Sequence, residues 1–409
     1  MGRGFSDQLG WIDAQGPRLA RLVADWASVN SGSYHVEGVE RCTDLVLQSF
    51  APLGGELLRI ELAPHEVMDG SGAINRRPLA RAARIVKRPD APHRVLLAIH
   101  VDTVYGPDDP FQMGSVRQDG AMTGPGVLDA KGGLAVMLAA LEALERSPVA
   151  SGIGWTVILN PDEELGSPGS TPLFESAAKE HSFGLLFEPA MQDGALVSAR
   201  KGSGNFSAVV TGRSAHAGRD PHLGRNAIHA LGELIVKLAA LNGASAGVTV
   251  NVGRVEGGGA VNVVPDRAAC RFNVRVSNQE EQRLVEQRLA TLTAEFNGRE
   301  GYGLTIHGSF TAPPKPSNPD LMKLVSDCGR ELGMQLHWRP SGGTCDGNRL
   351  SAAGLPNVDS LGPRGGGMHS PGEFLITESL TERAKLTALL LMKLAAGEVE
   401  WPSKPKGGH

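Results

Sequence analysis

Arg94-Val95-Leu96-Leu97-Ala98-Ile99-His100-Val101-Asp102-Thr103 decides how this chain folds. The apolar residues from Val95 to Ile99 follow one another without alternation, as in a strand covered on both faces, and polar residues appear only where the run stops. Such a strand belongs to an α/β sheet, which places its ligands beyond the carboxyl ends of its strands. His100 and Asp102 stand two apart at that end, so in extended chain they point to the same side. A carboxylate there can hold the imidazole and fix which nitrogen is free for a metal. A core histidine with a satisfied hydrogen bond is the competing reading.

Four other stretches complete the pattern. Pro161-Asp162-Glu163-Glu164-Leu165-Gly166-Ser167 follows a second strand-like run and offers adjacent carboxylates, one able to bind a metal while its neighbour moves a proton. A solvated Glu-Glu turn is the plainer alternative. In Thr123-Gly-Pro-Gly126-Val-Leu-Asp129-Ala-Lys131-Gly-Gly133 the glycines form neither G-x-G-x-x-G nor G-x-x-x-x-G-K-[ST], which argues against a nucleotide site. Asp129 in that loop could bridge two cations or cap the helix expected over Leu134 to Leu144. Phe183-Gly-Leu-Leu-Phe-Glu188-Pro189 is another apolar run ending in a carboxylate. Gly362-Pro-Arg-Gly-Gly-Gly-Met-His369-Ser-Pro-Gly-Glu373 is a glycine-dense loop bearing a histidine. Three strand ends and two loops therefore offer His, Asp, Glu, Glu and His, with one Glu to spare beside a ligand. Mixed imidazole and carboxylate donors suit zinc, or less selectively cobalt or manganese, and five ligands with one bridging carboxylate suit two ions.

These motifs, in this order from about Val95 to Glu373, resemble the dinuclear zinc hydrolases that include glutamate carboxypeptidase, aminoacylase, acetylornithine deacetylase and succinyl-diaminopimelate desuccinylase. The resemblance implies that Asp129 bridges two zinc ions, that His100 and Glu188 complete one site, and that Glu164 and His369 complete the other. Glu163 would be the general base for a water between the ions, and Asp102 the partner of His100. The Asp129-Ala130 peptide would be cis. Glu188 stands where Glu accompanies carboxypeptidase and deacylase members, and Asp accompanies aminopeptidases and tripeptidases. Gly342-Gly-Thr-Cys345-Asp346-Gly-Asn348 and Gly365-Gly366-Gly-Met-His369-Ser-Pro resemble the glutamate carboxypeptidase branch most closely. The implied reaction is hydrolysis of an amide bond to a free amino acid in an N-acyl amino acid or dipeptide. A dipeptidase or aminopeptidase, or an inert dimeric relative that only binds metal, is the alternative. Cys345 reads as a small buried filler.

The middle of the chain reads as a separate unit. Strand-like runs at Asn205 to Gly212, Val248 to Val255, Cys270 to Val276 and Leu304 to His307 alternate with helix patterns at Asn226 to Leu241 and Gln279 to Phe296. This suggests an α+β sandwich at 200–311, inserted into an α/β domain made of 1–199 and 312–409 whose mixed sheet is flanked by helices. Thr311-Ala-Pro313-Pro314-Lys-Pro316 marks the return. The segment resembles the lid, or dimerisation, domain of the same family. Gly212-Arg-Ser-Ala-His216-Ala-Gly would carry a histidine that crosses a homodimer to stabilise the tetrahedral intermediate. Asn262 and Arg275, with Gly366, would hold the substrate's carboxylate, a task suited to the planar fork of arginine. Without the resemblance, a turn histidine and a surface salt bridge would be the preferred readings.

Composition sets the outer limits. A chain of 409 residues with 41% hydrophobic content can bury two cores, and a net charge of -4 makes no electrostatic case for nucleic acid or anionic membrane. The four cysteines, Cys42, Cys270, Cys328 and Cys345, form no metal-type spacing and read as reduced thiols in the cytoplasm. The start has no secretory apolar segment, and its Met-Gly-x-x-x-Ser match to an acylation pattern is short enough to arise by chance. Helices are expected from about Ser6 to Val29 and Val39 to Phe50, and a loose tail from Trp401 to His409.

Overall fold

The computed structural model describes residues 4–69 and 73–402, so the acylation pattern at Met1-Gly2 and most of the expected tail lie outside the described residues. Strands Glu56–Ile60, Ala82–Lys87, Gly154–Asn160, Arg94–His100, Phe183–Leu186 and Asn357–Val358 form one mixed sheet in that spatial order. The last four run parallel, and the first two are each antiparallel to the next.

The unbroken apolar run of Arg94–His100 is explained by packing on both sides. Val95, Leu97 and Ile99 face a layer built by helices Ser6–Asp13, Gly16–Ala27, Val36–Phe50, Gly133–Glu145 and Ser379–Ala396. Leu96 and Ala98 face Phe174 of helix Thr171–Glu180 and Leu350 of helix Asp346–Ala352. The expected helix from Ser6 to Val29 is two helices. Pro17 lies in the first turn of the second, where its missing N–H costs nothing but where it cannot continue a preceding helix.

A second, antiparallel sheet joins Thr249–Gly257, Arg267–Val276, Gly202–Thr211 and Gly303–Ala312. Helices Ala227–Ala239 and Gln279–Asn297 cover one face, burying Leu231, Leu234, Val285 and Phe296 against Phe206, Phe272 and Val274. Each helix is capped by an asparagine side chain, Asn226 accepting from His229 N and Asn278 from Glu281 N. The final strand runs on to Ala312, past the expected His307, because it stays paired with Gly202–Thr211.

The chain passes between the two sheets twice, and the crossings are tied together. Arg200 and Lys315 exchange both backbone hydrogen bonds, each 3.0 Å. Asn348 Nδ2 donates to Lys201 O at 3.0 Å and Pro313 O at 2.7 Å, while Asp359 pairs with both Arg200 and Lys315. Hairpin His65–Met68/Ile74–Arg77 reaches across to the second sheet, where Met68 O accepts from Arg271 Nη2 at 2.9 Å and Met68 packs on Val209 and Ala269.

Candidate active site

The register of the parallel strands sets His100 opposite Asn160, and Glu188 follows two residues after Leu186. The expected metal-side residues therefore emerge along one carboxyl edge of the sheet. His100 Nδ1 is 3.0 Å from the Asp102 carbonyl oxygen and 3.4 Å from Asp102 Oδ1. With Nδ1 donating there, His100 Nε2 faces Asp129 Oδ1 at 3.1 Å and Glu188 Oε2 at 4.0 Å. Asp129 Oδ2 faces His369 Nε2 at 3.4 Å, and that nitrogen lies 3.3 Å from Glu164 Oε2. Each oxygen of Asp129 thus meets a different imidazole. Ligand atoms of His100, Asp129 and Glu164 all lie within 4.8 Å of one another.

Asp129 does not cap the following helix. That helix has Gly132 at its cap without a side-chain bond, and Asp129 sits before it at φ -115°, ψ 88°, followed by a cis peptide to Ala130. A buried carboxylate fixes this loop. Glu373 Oε1 accepts from Leu128 N at 2.9 Å and Asp129 N at 3.1 Å, and Oε2 accepts from Gly126 N at 3.2 Å and Tyr105 Oη at 2.9 Å. Sequence reasoning quoted Glu373 without giving it a role. The available signal was a carboxylate four residues after His369, at the end of a glycine-rich loop.

Asp102 does more than hold His100. Its Oδ1 accepts from Glu163 N and its Oδ2 from Glu164 N, both at 3.2 Å, and Ser33 Oγ donates to Oδ2 at 2.6 Å. One buried carboxylate thereby orients an imidazole on one strand end and the Glu163-Glu164 turn on the next.

Against the cost of its burial, hydrogen bonds with His100 and His369 hold Asp129 well below the ordinary carboxylate range, while Glu163 and Glu188 move the other way. Burial, then the nearby Glu188 carboxylate, pushes Glu163 well above the ordinary carboxylate range, and burial raises Glu188 to about 8. Burial disfavours a charged His100, yet hydrogen bonds with Asp102 and Asp129 hold its pKa well above normal, and bonds with Asp129 and Glu164 lift His369 to about 10. Acids driven towards neutrality beside bases driven towards charge mark a surplus of buried negative charge, which a divalent cation relieves. Two imidazoles and three carboxylates are also the donor types that zinc, cobalt and manganese accept, so the residues present fit a metal.

The other expected residues lie apart from this cluster. Among the described residues, no hydrogen bond or ion pair joins His216, Asn262 or Arg275 to the five metal-side residues. His216 Nδ1 accepts from Gly218 N at 3.2 Å and Arg219 N at 3.0 Å, which leaves Nε2 as the protonated, donating nitrogen. Asn262 is exposed on the neighbouring loop and its carbonyl accepts from Ala217 N at 2.9 Å. Arg275 bonds to Asn273 Oδ1 at 2.9 Å and Gly342 O at 3.4 Å, and among the described residues it pairs with no carboxylate, unlike a surface salt bridge. Gly366 pairs with Phe374, and a Cβ there would lie 3.1 Å from that ring. Cys345 is buried, and its Sγ accepts from Gly347 N at the start of helix Asp346–Ala352. Near it lies a residue that sequence reasoning missed, the buried Arg200, bonded to Asp359 at 2.8 Å and acting electrostatically on Glu188.

The fold agrees with comparisons to known proteins. Over 401 residues the chain is 29% identical to carboxypeptidase G2 of Pseudomonas sp., covering 93% of this chain and 90% of that protein. It is 26% identical over 353 residues to the succinyl-diaminopimelate desuccinylase of Acidovorax ebreus, covering 81% and 87%. Among solved structures, an M20 family metallo-carboxypeptidase from Sulfolobus solfataricus superposes with a TM-score of 0.71 over 92% of this chain and 99% of that one, at 16% identity, a likeness of fold. The sequence profile of peptidase family M20/M25/M40 matches residues 96–393, and the chain is a hydrolase of that family.

Proposed function

We propose that this protein hydrolyses the amide bond of an N-acyl amino acid or dipeptide and releases the amine-side amino acid, as a metallocarboxypeptidase or deacylase using two zinc ions, with cobalt or manganese as substitutes. The observation that carries this reading is Asp129, whose two oxygens lie 3.1 Å and 3.4 Å from different histidines, the disposition of a bridging ligand. Glu188 on the His100 side, and the names carboxypeptidase and desuccinylase borne by relatives, support the choice within the family.

When bound, the two cations would acidify the attacking water and polarise the amide carbonyl. Glu163 takes the proton of the attacking water and returns it to the departing amine, the same carboxyl serving as base and then acid. Asp102 keeps that base in register with Glu164 through the two backbone bonds it accepts. Arg275, with Asn262 and Gly366, receives the free carboxylate of the amine-side residue. His216, with Nε2 carrying its proton, donates to the oxyanion from a second copy of this chain.

A homodimer through residues 200–311, acting as lid and dimerisation unit on a catalytic domain of 1–199 and 312–409, has support in the surface. Thr249–Gly257 is an open sheet edge, and Val255, Val261, Val263 and Ile228 are exposed on or near it. The four cysteines are free and buried, in keeping with a cytoplasmic enzyme. Among the described residues no helix is long and apolar enough to cross a membrane.

The test is a panel of N-acyl amino acids and dipeptides offered to zinc- or cobalt-loaded protein, with the released amino acid quantified before and after chelation. Chelator-sensitive release of one amino acid from several acyl groups is expected, and Glu163→Ala should abolish it while both metals stay bound. Unchanged hydrolysis by Glu163→Ala would remove the role given to that residue. Release only of amino-terminal residues from peptides would move the protein to the aminopeptidase reading.

A further inference from the structure

The uncovered face of the second sheet is polar in an ordered way. Arg275, Asn273 and Arg271 alternate along strand Arg267–Val276 with the buried Val274 and Phe272, so the three share the face away from the helices. The register sets Asn251 and Asn205 beside Asn273, and Arg254 and Ser207 beside Arg271. Opposite stand the paired strands His65–Met68 and Ile74–Arg77 of the first domain, and between them and the sheet lies a cleft of about 640 Å³, within the range of small-molecule sites. Leu165, next in sequence to Glu164, lines this cleft. So does Met68, where the hairpin is bonded to Arg271 and packed on Val209 and Ala269.

The lining carries aromatic rings, the guanidinium groups of Arg254 and Arg271, and one carboxylate, Glu66. Tyr34 Oη lies 2.9 Å from His65 Nδ1 and the two rings stack, with the Arg77 guanidinium 4.7 Å above the tyrosine ring. Arg254 pairs with Glu256 and Arg76 with Glu66, but Arg271 and Arg77 pair with no carboxylate among the described residues. Arg271 lines the cleft beside Tyr34 and His307, and Arg77 adds positive potential from behind the tyrosine, an arrangement that suits a carboxylate.

Spacing gives this charge a place in the reaction. Four residues along a strand span about 13 Å, so Arg275 and Arg271 are two cations on one rigid face with a row of amides between them. If Arg275 holds the α-carboxylate, the inference resting on the function proposed above, the amine side of the substrate occupies that end of the face. The acyl side then leaves Glu164 along the cleft that Leu165 borders.

We propose that the cleft between the hairpin and the sheet is the acyl-side subsite, and that it takes acyl groups ending in a carboxylate held by Arg271, with Arg77 adding positive charge from behind Tyr34. The experiment compares kcat/KM for two derivatives of the amino acid that the panel selects, one carrying a glutaryl group and the other the same group with its far carboxylate converted to an amide. The glutaryl compound is expected to be favoured by at least about tenfold, mainly through KM, the worth of a charge-assisted hydrogen bond. Arg271→Gln should bring the ratio close to one, and Arg77→Gln, on an exposed strand that bears no core contact, should lower it. Chelator-sensitive release from both compounds without discrimination, or a ratio that neither substitution changes, overturns the subsite and leaves the proposed reaction standing. No release from either compound at full metal loading overturns both.

Discussion

Glu373→Gln tests whether a carboxylate outside the proposed ligand set fixes the position of Asp129. Glutamine keeps a single acceptor oxygen, which can serve Leu128 N and Asp129 N, but its amide nitrogen then faces Gly126 N and Tyr105 Oη. The tyrosine can adapt, since its hydroxyl also reaches Ser370 O at 3.0 Å and can accept from the new amide. Gly126 N–H cannot, and one buried unsatisfied donor costs about 1–3 kcal/mol, with about 1 kcal/mol more from bonds that lose their charge assistance. Global stability should therefore fall by about 2–4 kcal/mol. Because the lost bonds hold the backbone of the Asp129 loop, zinc affinity should weaken by about 10–100-fold. Urea denaturation and calorimetric zinc titration of the metal-free protein read the two effects separately. Tyr105→Phe, which removes only the phenolic bond, should give the smaller change in both. Wild-type zinc affinity in Glu373→Gln would refute the reasoning, whatever the stability.

Three other outcomes are expected. Burial holds His181 at a pKa of about 4, its Nδ1 donating to Ala177 O and its Nε2 accepting from Thr156 Oγ1. The unfolded chain then takes up this proton first, so stability should fall by up to about 3 kcal/mol as pH drops from 6.5 to 4 and level off below, a loss that His181→Gln should flatten in urea melts. Asn348→Ala strands Lys201 O, Pro313 O and Cys345 N, and should cost about 2–4 kcal/mol and open the Arg200-Lys201 crossing to limited proteolysis; resistance equal to the wild type would count against it. Zinc at a hundredfold excess over its Kd should raise unfolding free energy by about 2.7 kcal/mol per site, read by calorimetry with and without chelator, and a melting curve indifferent to zinc would contradict a folded-state site.

The parts of the fold that were legible in sequence are those whose pattern is local. Val95 to Ile99 announced a doubly covered strand because each residue meets a helix layer on its own side. The helix at Gly133–Glu145 was readable because it is buried nearly all round. The paired strands His65–Met68 and Ile74–Arg77 were not, since they carry mostly polar residues and their one buried apolar side chain, Met68, finds its partners in the second sheet. The residues that cluster at the sheet edge could be named from type and order, but not the carboxylates that brace them. Glu373 acts on backbone N–H groups about 245 positions earlier, and backbone donors look alike in every sequence. Likewise, no pattern of residues could show that His216 Nδ1 is already occupied, the fact that fixes which nitrogen donates.

The paired crossing at Arg200 and Lys315 has a consequence for how such a chain can be rebuilt. Two residues that exchange both backbone hydrogen bonds have Cα atoms about 5.5 Å apart, so the second sheet and its helices enter and leave through a single narrow doorway. A segment whose ends meet in this way can be excised and the gap closed by a short turn without stretching the chain that remains. The same doorway would accept a substitute domain with adjacent termini, making the second sheet and its helices an exchangeable module on a fixed base.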